Sequence, residues 1–199
     1  MKNRKLHAII PLKNSKNLIN WKKNHRNNCL LVIGARQVGK TYIIRDFAKK
    51  NYKKFYELNF LENKEFKAVF KEDLSANNIL KQLSIRISDF KIDDGNTLIF
   101  LDEIQECPEA ITALKFLAQD KRIDCIASGS MLGIAYKRAS SFPVGYVDRI
   151  YMNSLDFEEF LWARGISEDA ISYIKEFYDT KKLLVHLHMI ECLNYLRNT

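Results

Sequence analysis

The sequence is poor in residues that break or cross-link a chain, with 3 prolines, 7 glycines and 4 cysteines among 199 residues. With 47% apolar and 28% charged residues beside them, these counts exclude a disordered, collagen-like or low-complexity protein. Cys29, Cys107, Cys125 and Cys192 include no Cys-x-x-Cys pair, and Cys29 and Cys125 lie in apolar runs, so free core thiols are expected rather than disulfides or a zinc site. His188 and Cys192 would share a helix face close to His186, but without an acidic or further cysteine ligand they make a poor metal site. Long apolar runs are also lacking. The longest uncharged stretches, 27–35 and 125–136, fall short of a membrane span, which needs about 18 apolar residues. The N-terminus has neither the sustained apolar core nor the small-residue cleavage site of a secretory signal. A cytoplasmic protein without a membrane partner is expected.

Acidic residues are nearly missing from the N-terminal quarter. Residues 1–54 hold fifteen Lys or Arg against Asp46 alone, whereas 101–199 hold eleven basic and fifteen acidic residues. The net charge of +8 is therefore an N-terminal excess. Such a segment suits nucleic-acid phosphates through counterion release, although lysines without interleaved aromatics also describe an ordinary solvated face.

Apolar periodicity divides the chain into alternating elements. Leu18, Ile19 and Trp21 mark a short amphipathic helix within a basic segment, 1–28. Buried strands are expected at Cys29–Ile33, Phe55–Phe60, Thr97–Leu101 and Ile123–Ala127, with a last strand at Val144–Met152. Between them come helices at Thr41–Lys50, around Lys64–Phe70 and Ile79–Ile87, and one beginning at Pro108, with a turn at Asp93–Asn96. Asp156 caps a helix containing Phe157, Phe160, Leu161 and Trp162, and two further helices follow at Ser167–Tyr178 and Lys182–Asn194. Strands alternating with helices imply a parallel sheet covered on both faces, an α/β fold. The divisions are the basic segment, a core at 29–155 and a helical extension at 156–199.

The first strand runs into Gly34-Ala35-Arg36-Gln37-Val38-Gly39-Lys40-Thr41, which fits G-x-x-x-x-G-K-[ST] between a buried strand and an amphipathic helix. The glycines let the backbone curl with its N–H groups inward, and the helix adds its positive leading end, so the cup suits a polyphosphate. Lys40 can reach the β and γ phosphates, and the Thr41 hydroxyl can coordinate magnesium. Arg36 and Gln37 occupy variable positions, with side chains expected outside the cup.

The strand Leu98-Ile-Phe-Leu101 ends in Asp102 and Glu103. Ligands of open parallel sheets sit beyond the carboxyl ends of strands, which puts Asp102 beside the cup as a magnesium ligand, through water. Glu103 can then orient and deprotonate an attacking water. Ser128 and Ser130 end the next strand, where a hydroxyl can sense a γ phosphate; a plain Ser-Gly-Ser turn explains either serine equally well.

GARQVGKT, LIFLDEIQECPEAITALKFL, IASGSMLG and SFPVGYVDRIYMNSLDFEEFLWARG together resemble the prokaryotic AAA-type ATPases whose P-loop domain precedes a C-terminal domain of unknown function. The resemblance implies a three-layer α/β/α P-loop NTPase sandwich with a mostly parallel five-stranded sheet of the additional-strand type, followed by C-terminal helices. It also implies ATP rather than GTP, magnesium-dependent hydrolysis, a capacity to form homo-oligomers, and roles for Lys40, Thr41, Asp102, Glu103 and the Ser128–Ser130 sensor segment. Gly145-Tyr146 stands where many members have Gly-Arg, so Arg36, Arg138 and Arg149 are only candidates for an arginine finger. Members also continue well beyond the position of Leu196, which makes 156–199 the expected lead-in to a further domain. Three functional readings follow: an ATPase module, a nucleotide-dependent module that binds DNA or protein without productive hydrolysis, and a truncated remnant.

Overall fold

The computed structural model describes residues 13–24, 27–130 and 143–179. These fall into two compact units, one within Leu12–Leu155 and the other from Asp156 onward. The proposed helix at 182–194, His186, His188, Cys192 and Arg138 lie outside the described residues.

In the larger unit the order is α1 (Lys13–Asn24), β1 (Cys29–Ile33), α2 (Lys40–Asn51), β2 (Lys54–Asn59), a 3-10 turn (Lys64–Phe70), α3 (Ala76–Arg86), β3 (Thr97–Asp102), a short 3-10 turn (Ile104–Glu106), α4 (Pro108–Gln119), β4 (Ile123–Gly129) and β5 (Val147–Tyr151). The five strands form one sheet in the order β2-β3-β4-β1-β5, and every pairing is parallel. β4 therefore separates the strand leading into the glycine loop from the strand ending in Asp102. β5 is shorter than the apolar pattern suggests, because Pro143–Tyr146 forms a turn closed by the Tyr146 N–H on the Pro143 carbonyl (3.2 Å), with Gly145 at φ 84°.

Side chains alternate across a strand, so a sheet covered on both sides needs apolar residues at successive positions. Cys29, Leu31, Leu58, Ile99, Leu101, Cys125 and Ala127 pack with Ile79, Leu83, Ala110, Ile111, Leu114 and Leu117 of α3 and α4 in one core. Leu30, Val32, Leu98, Phe100 and Ile126 are buried on the opposite face, and α2 contributes Ile43, Ile44 and Phe47 to the interior. Proline at the first position of α4 begins that helix without losing a needed N–H.

Leu18 and Trp21 of α1 are buried, and α1 packs on α2. Lys22 sits 3.6 Å above the Tyr52 ring and donates to the Asn51 carbonyl, while the Tyr52 hydroxyl donates to Asp124 Oδ2 (2.6 Å). Part of the basic character of this segment is thus committed to packing. Burial pushes the Lys22 ammonium below its ordinary value, opposed by the Asp124 charge.

In the second unit, Asp156 caps α5 (Phe157–Ala163) in a capping box with Glu159, and α6 covers Glu168–Asp179. Lys175 pairs with Glu158 at 2.7 Å. No helix among the described residues is long and apolar enough to cross a membrane.

Leu114→Ala should lower the unfolding free energy by about 2–5 kcal/mol, because Leu114 is fully enclosed. Ile85→Ala, at a side chain 68% exposed, should change it by no more than about 0.5 kcal/mol. Urea titration followed by circular dichroism measures both.

Candidate nucleotide site

The site lies at the carboxyl ends of β1, β3 and β4. The chain leaves β1 through Gly34, whose N–H donates to the Gly129 carbonyl (3.3 Å), while the Met152 N–H donates to the Ile33 carbonyl (2.7 Å). This squeeze leaves no room for a side chain, since a Cβ at position 34 would stand 2.2 Å from the Met152 carbonyl oxygen. Gln37 and Gly39 then turn the backbone with φ values of 63° and 91°, in the left-handed region. α2 begins immediately afterwards at Lys40 with no side-chain cap, so none of its leading N–H groups is consumed by a capping side chain. A glycine loop feeding an uncapped helix start is chemistry suited to an anion. Ala35, Arg36 and Gln37 are exposed, and Val38 and Gly39 are half-buried.

Lys40 folds back into this loop. Its Nζ donates to the carbonyls of Ala35 (2.7 Å) and Gly34 (3.1 Å). Burial pushes the ammonium below its ordinary pKa; the Glu103 and Asp102 charges oppose that shift and Arg36 adds to it. The lysine is therefore near both carboxylates of the β3 end.

Asp102 is 2% exposed and receives donors from several elements. The Thr41 hydroxyl, in the first turn of α2, donates to Oδ2 at 2.9 Å. Asn59 Nδ2 reaches the same oxygen at 3.4 Å from the end of β2, where Asn59 and Asp102 are paired in register. Ser128 Oγ from β4 and the Glu103 N–H (3.1 Å) donate to Oδ1. The metal-ligand candidates Thr41 and Asp102 are thus in direct contact.

Glu103 adopts a left-handed backbone, φ 53° and ψ 47°, and Gln105 Nε2 donates to its Oε2. The two serines differ. Ser128 is spent on Asp102, whereas Ser130 Oγ is enclosed with no hydrogen-bond partner among the described residues. An unsatisfied buried hydroxyl is costly, which makes Ser130 the serine with spare capacity for a ligand.

Sequence reasoning missed Asn59, Gln105 and Met152. Asn59 ends a strand adjacent to β3, and strand ends are where ligand groups collect in such sheets, so a signal existed. Gln105 lay inside the acidic motif with no role assigned. The Met152 carbonyl that crowds Gly34 becomes visible only once β5 is placed beside β1.

A parallel sheet with β4 between the loop strand and the acidic strand, and a glycine loop facing that acidic end, defines a P-loop module of the nucleotide-binding, ATPase-like class. Within it, residues 26–161 match the AAA domain family, and the chain belongs to that family. Among solved structures it is similar to the Walker-type ATPase of Pyrococcus abyssi, with 14% identity and a TM-score of 0.53, over 81% of this chain and 59% of that one. That likeness is one of fold, and this chain spans under two thirds of that protein's length. None of the curated proteins matches the sequence.

Gly34→Ala should destabilise the protein by about 1–3 kcal/mol, because the added methyl must displace backbone at Met152. Thermal unfolding of the purified variant checks this, and a melting temperature equal to wild type would contradict the squeeze.

Proposed function

We propose that this chain binds ATP with magnesium and hydrolyses its terminal phosphoanhydride. The observation that carries the reading is the contact between Thr41 and Asp102 beside the uncapped start of α2. It sets two hard oxygen donors against a loop already suited to phosphate. The chemistry fits the group: Gly34 cannot be filled, Ser130 Oγ lacks a partner among the described residues, and Lys40 donates to loop carbonyls it can exchange for phosphate oxygens.

In this reading the main-chain amides of 35–41 bind the phosphates, and Lys40 swings from the Gly34 and Ala35 carbonyls onto the β and γ oxygens. Thr41, with Asp102 acting through water, would hold magnesium, which would supply charge neutralisation at the phosphates. Ser130 donates to the γ phosphate. Glu103 orients the attacking water and takes its proton as the water oxygen bonds to phosphorus; the bond from phosphorus to the bridging oxygen breaks, and ADP leaves with that electron pair. Charge on the transferring group also calls for an arginine. Arg36 on the loop and Arg149 in β5 are both exposed, and a second copy of the chain is a further source, which makes a homo-oligomer part of the proposal. The expected compartment is the cytoplasm.

A second reading keeps nucleotide binding and replaces hydrolysis with nucleic-acid contact. Its support is α1, which has no acidic residue in its first turn, carries exposed Lys13, Lys16 and Lys23, and continues a basic N-terminal segment.

Calorimetry with ATP and GTP, with and without magnesium, combined with a phosphate-release assay, separates the readings. Wild type should prefer ATP with magnesium, Lys40→Ala should weaken binding at least about tenfold, and Glu103→Gln should retain binding while turnover falls about 10²–10⁴-fold. Binding without turnover, together with salt-sensitive capture of DNA, would favour the second reading.

A further inference from the structure

Gln105 lies in the short 3-10 turn after Glu103, and the two ends of its amide are engaged differently. Nε2 donates to Glu103 Oε2, whereas Oε1 accepts from the Ser130 N–H at 3.4 Å. One side chain therefore joins the acidic end of β3 to the residue directly after β4. Glu103 is only half-buried, and its carboxylate stands at the end of a side chain with three rotatable bonds. Left alone, such a group samples many directions, and a proton acceptor that samples many directions faces its water only part of the time. Its backbone is already restrained by the Glu103 N–H on Asp102 Oδ1 at 3.1 Å. The amide of Gln105 restrains the other end.

We infer that Gln105 is the positioning residue for Glu103, fixing the carboxylate relative to Ser130 at the end of β4; this rests on the hydrolytic reading above. The bond from Nε2 occupies Oε2 and leaves Oε1 of Glu103 to receive the proton from water. The bond from the Ser130 N–H sets the direction of the amide, because only its carbonyl end can accept there and its NH₂ end must then face Glu103. Glutamate at 105 would turn an acceptor toward a carboxylate, and asparagine, one methylene shorter, cannot span both partners. Through the same side chain, a phosphate held by the Ser130 hydroxyl and the carboxylate that serves its hydrolysis are connected. Gln105 itself touches neither substrate nor metal in this scheme.

The test uses the full chain and measures steady-state ATP turnover, ATP affinity and melting temperature for wild type, Gln105→Ala, Gln105→Asn and Gln105→Glu. A double-mutant cycle with Glu103→Gln is read by single-turnover hydrolysis. Positioning predicts that kcat falls about tenfold or more in all three Gln105 variants, while ATP affinity stays within about twofold. It also predicts that Gln105→Ala removes less than about twofold more on the Glu103→Gln background, because coupled groups are non-additive. Gln105→Asn keeps the polarity of the turn and guards against a loss due to misfolding. Wild-type kcat in folded Gln105→Ala overturns the inference and leaves the ATPase reading standing, as does an equal further loss on the Glu103→Gln background. A wild type that binds ATP and releases no phosphate overturns the hydrolytic reading, and the role of Gln105 falls with it.

Discussion

A carboxylate removed from water must find donors for its oxygens, and in this molecule that demand on Asp102 brings the site together. Its partners come from the first turn of α2, the end of β2, the end of β4 and the backbone that follows β3. Burying a charged group without such partners costs several kcal/mol, so each element is penalised for drifting away. Asp102 thus fixes the register of three strand ends against one helix start.

The same economy governs the loop. Gly34 passes between the ends of β4 and β5 with no room for a Cβ, and this close passage sets where the following turn begins. The loop closes on Lys40, whose ammonium binds the carbonyls of its own backbone. The lysine is then a placeholder: its burial is tolerated because two carboxylates stand near it, and a phosphate would offer it better acceptors than two carbonyls. Lysine, carboxylates and uncapped helix start form one electrostatic unit in which opposite charges are held close but left incompletely matched.

Much of this was legible in the residues. The continuous apolar runs at 29–33 and 97–101 could only be strands covered on both faces, and the structure has β1 and β3 there. The strand read at Phe55–Phe60 is β2 at the edge of the sheet, and the strand that stands between β1 and β3 is β4, which carries Ser128 near its end. Lys40 and Thr41 meet Asp102 and Glu103 because the glycine loop leaves β1 and the acidic pair ends β3 at the same edge of the sheet. Less legible were features that depend on register between distant segments. Asn59 meets Asp102 through the pairing of β2 with β3, and Met152 crowds Gly34 through the pairing of β5 with β1. The basic helix α1 shows the limit of charge counting. Lys22 reads as one more solvated cation, yet it packs over Tyr52, and its chain neighbour Trp21 is core. Ser128 and Ser130 were indistinguishable in sequence. Their difference is a hydrogen bond to Asp102 that one makes and the other does not.

The central claim is that the glycine loop and Asp102 form one site for a triphosphate and its cation. A crystal structure of the chain with magnesium and a non-hydrolysable ATP analogue tests it most directly. The account predicts the phosphates on the amides of 35–41, Lys40 moved from the Gly34 and Ala35 carbonyls onto phosphate oxygens, and the cation beside Thr41 and Asp102. A nucleotide bound elsewhere, or phosphates in the loop with Lys40 still on the Gly34 and Ala35 carbonyls, would contradict it.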